Sequence, residues 1–289
     1  MREQIQTLLA AMLVLIAGLV GYTLLFSDSD EIGLSVVSTS GVVVRTDKDG
    51  LQESATPGMR LLPKDELTVG AQGAAELAVD EQTRMTLSSA SSIRVVGVDA
   101  GGVRIELEEG RVTARVRPES PALSITSRGR GVSATDAEFD VVAGADGALG
   151  VEGRRGELSL QGFDDVSSLP EGTRLSVAPG LPAQAAPIPA SLLLEVAWPE
   201  HTVTRDAAVA LQGQTSPYAS VSLLSADQQP TTIRAGADGR FSTALPLQEG
   251  DNTIEVMVED VMGNRERATW EIQRDTEAPS VNTEVLWGN

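Results

Sequence analysis

The chain has 289 residues, 41 acidic against 22 basic, for a formal net charge of -19. So few Lys and Arg exclude nucleic-acid binding, because phosphate contacts depend on them. With no cysteine and a single histidine, a disulfide framework, a thiolate nucleophile and Cys-based metal sites are also excluded, and acid–base chemistry loses its commonest group.

The first apolar run, residues 8–26, has no charge and no proline. Its length is about that of a bilayer-spanning helix, the structure that satisfies its own backbone in lipid. It ends Thr23-Leu24-Leu25-Phe26, bulky where a signal peptidase needs small residues, so a retained transmembrane helix is expected rather than a cleaved leader. Arg2 lies on the short side and the next basic residue is Arg45. That asymmetry predicts residues 1–7 as a cytoplasmic tail and the bulk outside. Ala17 and Gly21 form a small-xxx-small pair, a spacing that permits self-association of the anchor.

From residue 34 to 177 the pattern is all-β: short alternating runs of Val, Ile, Leu and Thr, punctuated by Gly, Asp, Ser or Pro. In Val103-Arg104-Ile105-Glu106-Leu107 the apolar residues share one face and the charged ones the other, as on a half-buried sheet. Glu108-Glu109-Gly110 then predicts a tight reversal into Val112, a hairpin.

The order of these pieces resembles the FecR family. The residues that carry the resemblance are Gly41, the run Gly58-Met59-Arg60-Leu61-Leu62-Pro63-Lys64-Asp65-Glu66-Leu67, Gly70, Gly73 and Ala75-Glu76-Leu77. They continue with Thr83-Arg84-Met85-Thr86-Leu87, Val103 to Leu107, Gly110-Arg111-Val112 and Ala137-Glu138-Phe139-Asp140-Val141. Gly156-Glu157-Leu158-Ser159-Leu160 and Leu169-Pro170-Glu171-Gly172 close the series. The resemblance implies an extracytoplasmic β domain. Lys64-Asp65 and Asp136-Ala137 depart from the family's Gly-Asp and Gly-Thr, both at turns. Residues 1–7 are too short to fold, so the resemblance does not imply the cytoplasmic sigma-factor handling of the family's regulators.

Residues 178–190, rich in Pro and Ala, predict a semi-extended linker. Over 191–275 strand alternation resumes. Trp198, Phe241 and Trp270 fall on inward positions, a turn is predicted at Ser216-Pro217-Tyr218-Ala219, and Asp238-Gly239 gives the strongest hairpin signal. About seven short strands have the dimensions of a β-sandwich. Gly213-Gln214-Thr215, Asp238-Gly239-Arg240-Phe241, Gly250-Asp251-Asn252-Thr253-Ile254, Asp260-Val261-Met262-Gly263-Asn264 and Asp275-Thr276-Glu277-Ala278-Pro279 resemble bacterial Ig-like modules. Residues 276–289 form a tail, either a frayed end or an edge strand offered to a partner.

No catalytic, cofactor-binding or metal-binding residue is expected, and no enzyme. His201 lies in a turn-like stretch. The carboxylate pairs Glu108-Glu109, Asp164-Asp165 and Glu259-Asp260 are expected as solvated turn charge, since strand neighbours point to opposite faces. Asp260, Asn264, Asp275 and Glu277 are the one set from which a calcium site could be built. Tyr218 and Trp287 are the aromatics left for a sugar platform, too few for a groove.

Together these readings predict a non-catalytic, single-pass inner-membrane protein with its bulk in the periplasm. It would bind or scaffold an envelope or membrane protein. The alternatives are a component of transmembrane signalling, and a cell-wall or glycan-associated adhesion module. The periplasm is implied by the resemblance and not by composition.

Overall fold

The computed structural model describes residues 33–225 and 230–277, and every regular element in them is a β-strand. Among the described residues no helix is long and apolar enough to cross a membrane. The transmembrane helix expected at 8–26, the cytoplasmic tail at 1–7, Trp287 and most of the tail at 276–289 lie outside the described residues.

The first domain opens with β1 (Leu34–Ser40), β2 (Val43–Thr46), β3 (Gln52–Ser54), β4 (Arg60–Leu61), β5 (Glu66–Val69) and β6 (Ala74–Ala78). It continues through β7 (Arg84–Leu87), β8 (Ser91–Asp99), β9 (Gly102–Val116), β10 (Ala122–Ser127), β11 (Arg130–Ala134) and β12 (Ala137–Ala143). It ends with β13 (Leu149–Arg155), β14 (Leu158–Gln161), β15 (Ser168–Leu169), β16 (Thr173–Val177) and β17 (Gln184–Pro187). One layer, here sheet A, runs β4-β1-β6-β7-β9-β12-β13-β16-β17. The other, sheet B, runs β3-β2-β5-β8-β9-β10-β11-β14-β15. Neighbours are antiparallel except β9 and β10. A single apolar core containing Leu77, Ile93, Leu107, Leu123 and Phe139 lies between the layers.

Strand β9 belongs to both layers. Its residues up to Glu109 pair with β8 and β10, and those from Gly110 pair with β7 and β12. The hairpin predicted at Glu108-Glu109-Gly110 does not form. Gly110 takes φ +100°, and a Cβ there would stand 2.4 Å from Ser91 Cα, so only glycine lets the strand bend at that point. The bend shifts the inward phase from Val103, Ile105 and Leu107 to Val112, Ala114 and Val116, all buried. Each half thus faces the same core from the opposite layer.

The second domain comprises β18 (Leu194–Ala197), β19 (Val203–Thr204), β20 (Ala208–Thr215), β21 (Ser220–Ser225), β22 (Thr231–Arg234), β23 (Arg240–Pro246), β24 (Gly250–Glu259) and β25 (Arg265–Arg274). They form a two-sheet sandwich, β18-β20-β23 against β19-β25-β24-β21-β22, around Leu211, Val221, Leu223, Ile254 and Val256. Phe241 is buried as expected, whereas Trp198 and Trp270 are half-buried at the core's edge, stacked with centroids 5.5 Å apart. Asp238-Gly239 does not close a hairpin, because β22 and β23 lie in different sheets. Its turn instead carries the chain across the sandwich.

The predicted linker is also different. Within 178–190, residues 184–187 form β17, which pairs with β16 from Thr173↔Pro187 to Ser176↔Gln184. Proline and small residues suit an edge strand, where one side of the backbone needs no partner.

Candidate functional site at the domain junction

The β24–β25 hairpin turns at residues 260–264 and folds around one carboxylate. Asp260 Oδ1 accepts the Met262 and Asn264 amides, each at 2.9 Å, and Oδ2 accepts the Asn264 side-chain amide at 3.0 Å. Its remaining partner comes from the first domain: Arg174 Nη1 donates to Oδ2 at 2.7 Å. Arg174 also donates through Nε to Glu152 Oε1 at 2.7 Å. All three residues are buried, Asp260 at 4%, Glu152 at 5% and Arg174 at 5% exposure. Buried ions of this kind are tolerated only when paired and hydrogen-bonded.

The triad continues a row across the outer face of sheet A. Thr86, Thr113, Asp140, Glu152 and Arg174 are successive cross-strand partners on β7, β9, β12, β13 and β16. Asp140 opposite Glu152 sets two like charges together, an unfavourable pairing by itself. Arg154 relieves it, its Nε on Asp140 Oδ2 at 2.5 Å and its Nη2 3.6 Å from Glu152 Oε2. The Thr113 hydroxyl donates to Asp140 Oδ1 at 2.5 Å, and the Arg111 guanidinium donates to the Met262 carbonyl of the second domain.

Apolar contact completes the seat. Val261 and Met262 pack with Ala178 and Tyr218, against half-buried Val142 and Ala148 of the first domain. A Cβ on Gly150 would lie 2.5 Å from Met262 Sδ and 3.2 Å from the Val261 carbonyl, so a bare backbone on β13 is what admits the hairpin tip. Tyr218, expected as exposed, is 1% exposed, and its hydroxyl donates to the Pro182 carbonyl at 2.8 Å. It takes φ +60° in a turn closed by the Ala219 amide on the Ser216 carbonyl. Such a conformation costs a non-glycine residue about 1–3 kcal/mol and persists where packing over-determines it. At the rim Arg234 pairs with Asp146 and donates to the Tyr218 carbonyl at 3.1 Å. Burial opposes ionisation of Asp146, but the Ala148 amide and Arg234 outweigh it and hold its carboxyl below the ordinary 3.8. Beside the seat is a cleft of about 490 Å³, lined among others by Arg154, Arg174, Asn264 and Arg265.

The expected calcium set does not assemble. Asp260 and Asn264 precede β25 while Asp275 and Glu277 follow it, and ten extended residues separate them by roughly 30 Å. Arg174 occupies the position on Asp260 that a cation would take. Among the described residues no group of three or more His, Cys, Asp or Glu could hold a metal. Of the carboxylate pairs, Asp164 and Asp165 are exposed as expected, and Glu108 pairs with Arg94 on sheet B, its pKa raised by burial and by Glu66. Asp260 departs from the expectation of solvated charge. His201 is exposed.

Residues 65–159, about a third of the chain and running from β5 to within β14, match the family model described as FecR protein. The chain is similar to a candidate anti-sigma factor from Parabacteroides distasonis ATCC 8503, with 17% identity and a TM-score of 0.38. The match covers 42% of this chain and 59% of that one. It is also similar to a tetra-tandem repeat from the extending region of a large adhesion protein, with 16% identity and a TM-score of 0.25. That match covers 85% of this chain and 67% of the other. No curated protein matches.

Proposed function

We propose that this protein is a non-catalytic binding module of the cell envelope, acting in the regulatory, signalling-related setting that its FecR-family segment suggests. The helix at 8–26 anchors it in the inner membrane, with residues 1–7 in the cytoplasm and both β domains in the periplasm. The second domain is an Ig-like module, and a partner envelope or membrane protein binds the pair. The observation that carries this reading is the buried Glu152–Arg174–Asp260 triad, which seats one domain on the other so that they present a composite surface. A freely tethered spacer needs no such seat.

The test has two parts. Protease added outside spheroplasts should digest the β domains, and crosslinking of the full chain in membranes should recover one stoichiometric envelope protein. Protection from protease, or turnover in a substrate screen with nothing crosslinked, would refute the reading. The FecR match also favours a more specific signalling role, in which partner binding acts through the anchor. Replacing residues 8–26 with an unrelated span should abolish a helix-borne signal and spare a scaffold.

A further inference from the structure

We propose that the uncovered half of the outer face of sheet A, over β7, β9 and β12, is a docking surface for an acidic turn of a partner protein. This deepens the binding-module reading and rests on it. The face is one continuous row: at its β13–β16 end the second domain sits on it, and at its β7–β9 end it is open among the described residues. The open end is a groove of about 620 Å³ into which Arg84, Arg111, Arg115 and Arg154 project against Glu76, Glu138 and Asp140. Arg111 and Arg154 serve both halves, Arg111 on the Met262 carbonyl and Arg154 on Asp140 and Glu152.

The charge arrangement in the open half makes poor sense as fold stabilisation alone. Arg84 and Arg115 are direct cross-strand partners, a like-charge pairing that weakens a sheet. Arg84 has Glu76 at 3.0 Å. Arg115, Arg117 and Arg155 converge on the single oxygen Glu138 Oε1 at 3.1, 3.3 and 3.5 Å. One carboxylate cannot neutralise three guanidiniums, and among the described residues only Arg155 has a further acid, Asp136 at 2.7 Å. A local surplus of positive charge thus stands on a chain whose net charge is -19. That contrast steers an acidic partner to this face and repels it elsewhere.

The covered half indicates the form of the occupant. There an acidic hairpin tip gives its carboxylate to Arg174 and its tip carbonyl to Arg111. The open half offers the same groups, exposed and adjacent, for a second tip of that chemistry.

The experiment uses the purified full chain in detergent and a fluorescein-labelled cyclic peptide of sequence Glu-Asp-Val-Met-Gly-Asn-Arg, an acidic turn copied from residues 259–265. Anisotropy should show saturable binding that weakens as salt rises. Arg84→Glu with Arg115→Glu should lose about tenfold or more in affinity, and Arg115→Gln alone severalfold, if rim charge steers binding. Arg240→Glu, at the exposed first position of β23, should leave it unchanged. No saturable binding, or full affinity in both groove variants, overturns the proposal. So does arginine-dependent pelleting with phosphatidylglycerol vesicles without peptide binding, which would assign the face to lipid. If a crosslinked envelope partner is retained by the charge-reversed chain, the site fails and the binding-module reading survives. If the peptide binds through these arginines but no envelope partner is recovered, the site stands and that reading fails.

Discussion

Arg174 holds two carboxylates that have no other cation so close, and both are out of water. Arg174→Ala strands them, and breaking a buried pair from one side costs about 3–5 kcal/mol. Chemical denaturation should report a loss in that range, whereas Arg265→Ala, whose exposed pair with Glu259 is on the surface, should lose no more than about 1 kcal/mol. Tyr218→Phe keeps the ring and removes only the hydrogen bond to Pro182, with an expected loss of about 0.5–1.5 kcal/mol. Asp146 gives the junction a pH dependence whose sign follows from its lowered pKa. A group with a depressed folded-state value contributes stability above its ordinary 3.8, and that contribution disappears as pH falls through the lower folded value. Limited proteolysis of the junction should therefore accelerate only below about pH 3.8, and Asp146→Asn should remove that acid-induced step.

Among the elements, the β24–β25 hairpin and β13 show why a small residue can matter more than a large one. Gly150→Phe places a ring where Met262 and the Val261 carbonyl now lie. The hairpin tip should lift from the sheet without unfolding either core, read as a larger radius of gyration in solution scattering with unchanged far-ultraviolet circular dichroism. An unchanged radius would mean the seat is more compliant than its geometry implies. The alternating faces of β8, β9 and β24 were legible in the sequence, because a period of two needs nothing beyond the strand itself. The path of β9 was not read correctly, since a glycine at positive φ serves a bend as readily as a turn. A signal was present nonetheless: the apolar phase moves from odd to even positions between Leu107 and Val112, as a strand changing layers requires. The burial of Asp260 and Tyr218 was beyond local reading, because both sit in turns and each is closed over in part by first-domain groups distant in sequence, Arg174 for Asp260 and Ala178 and Pro182 for Tyr218.

For the molecule as a whole, the junction should couple the two cores thermally. Calorimetry of the wild-type chain should show the second domain melting together with the first or close to it, and Arg174→Ala should separate the two transitions toward lower temperature for the less stable core. Two well-separated transitions already in the wild type would show that the seat is too weak to link them. The composition change at residues 178–190 suggests a boundary between two β bodies, but nothing in it foretells their docking. A proline- and alanine-rich stretch looks alike in sequence whether it hangs free or lines a sheet edge, and only the partner strand decides.

That partner strand is β16, the same strand that carries Arg174. Connector and clasp are therefore neighbours on one rung, Ala186 facing Arg174 across the ladder. A tug on the distal domain is therefore passed to the strand that carries the clasp, and a cleavage within 184–187 would loosen a grip that the cut itself never touches.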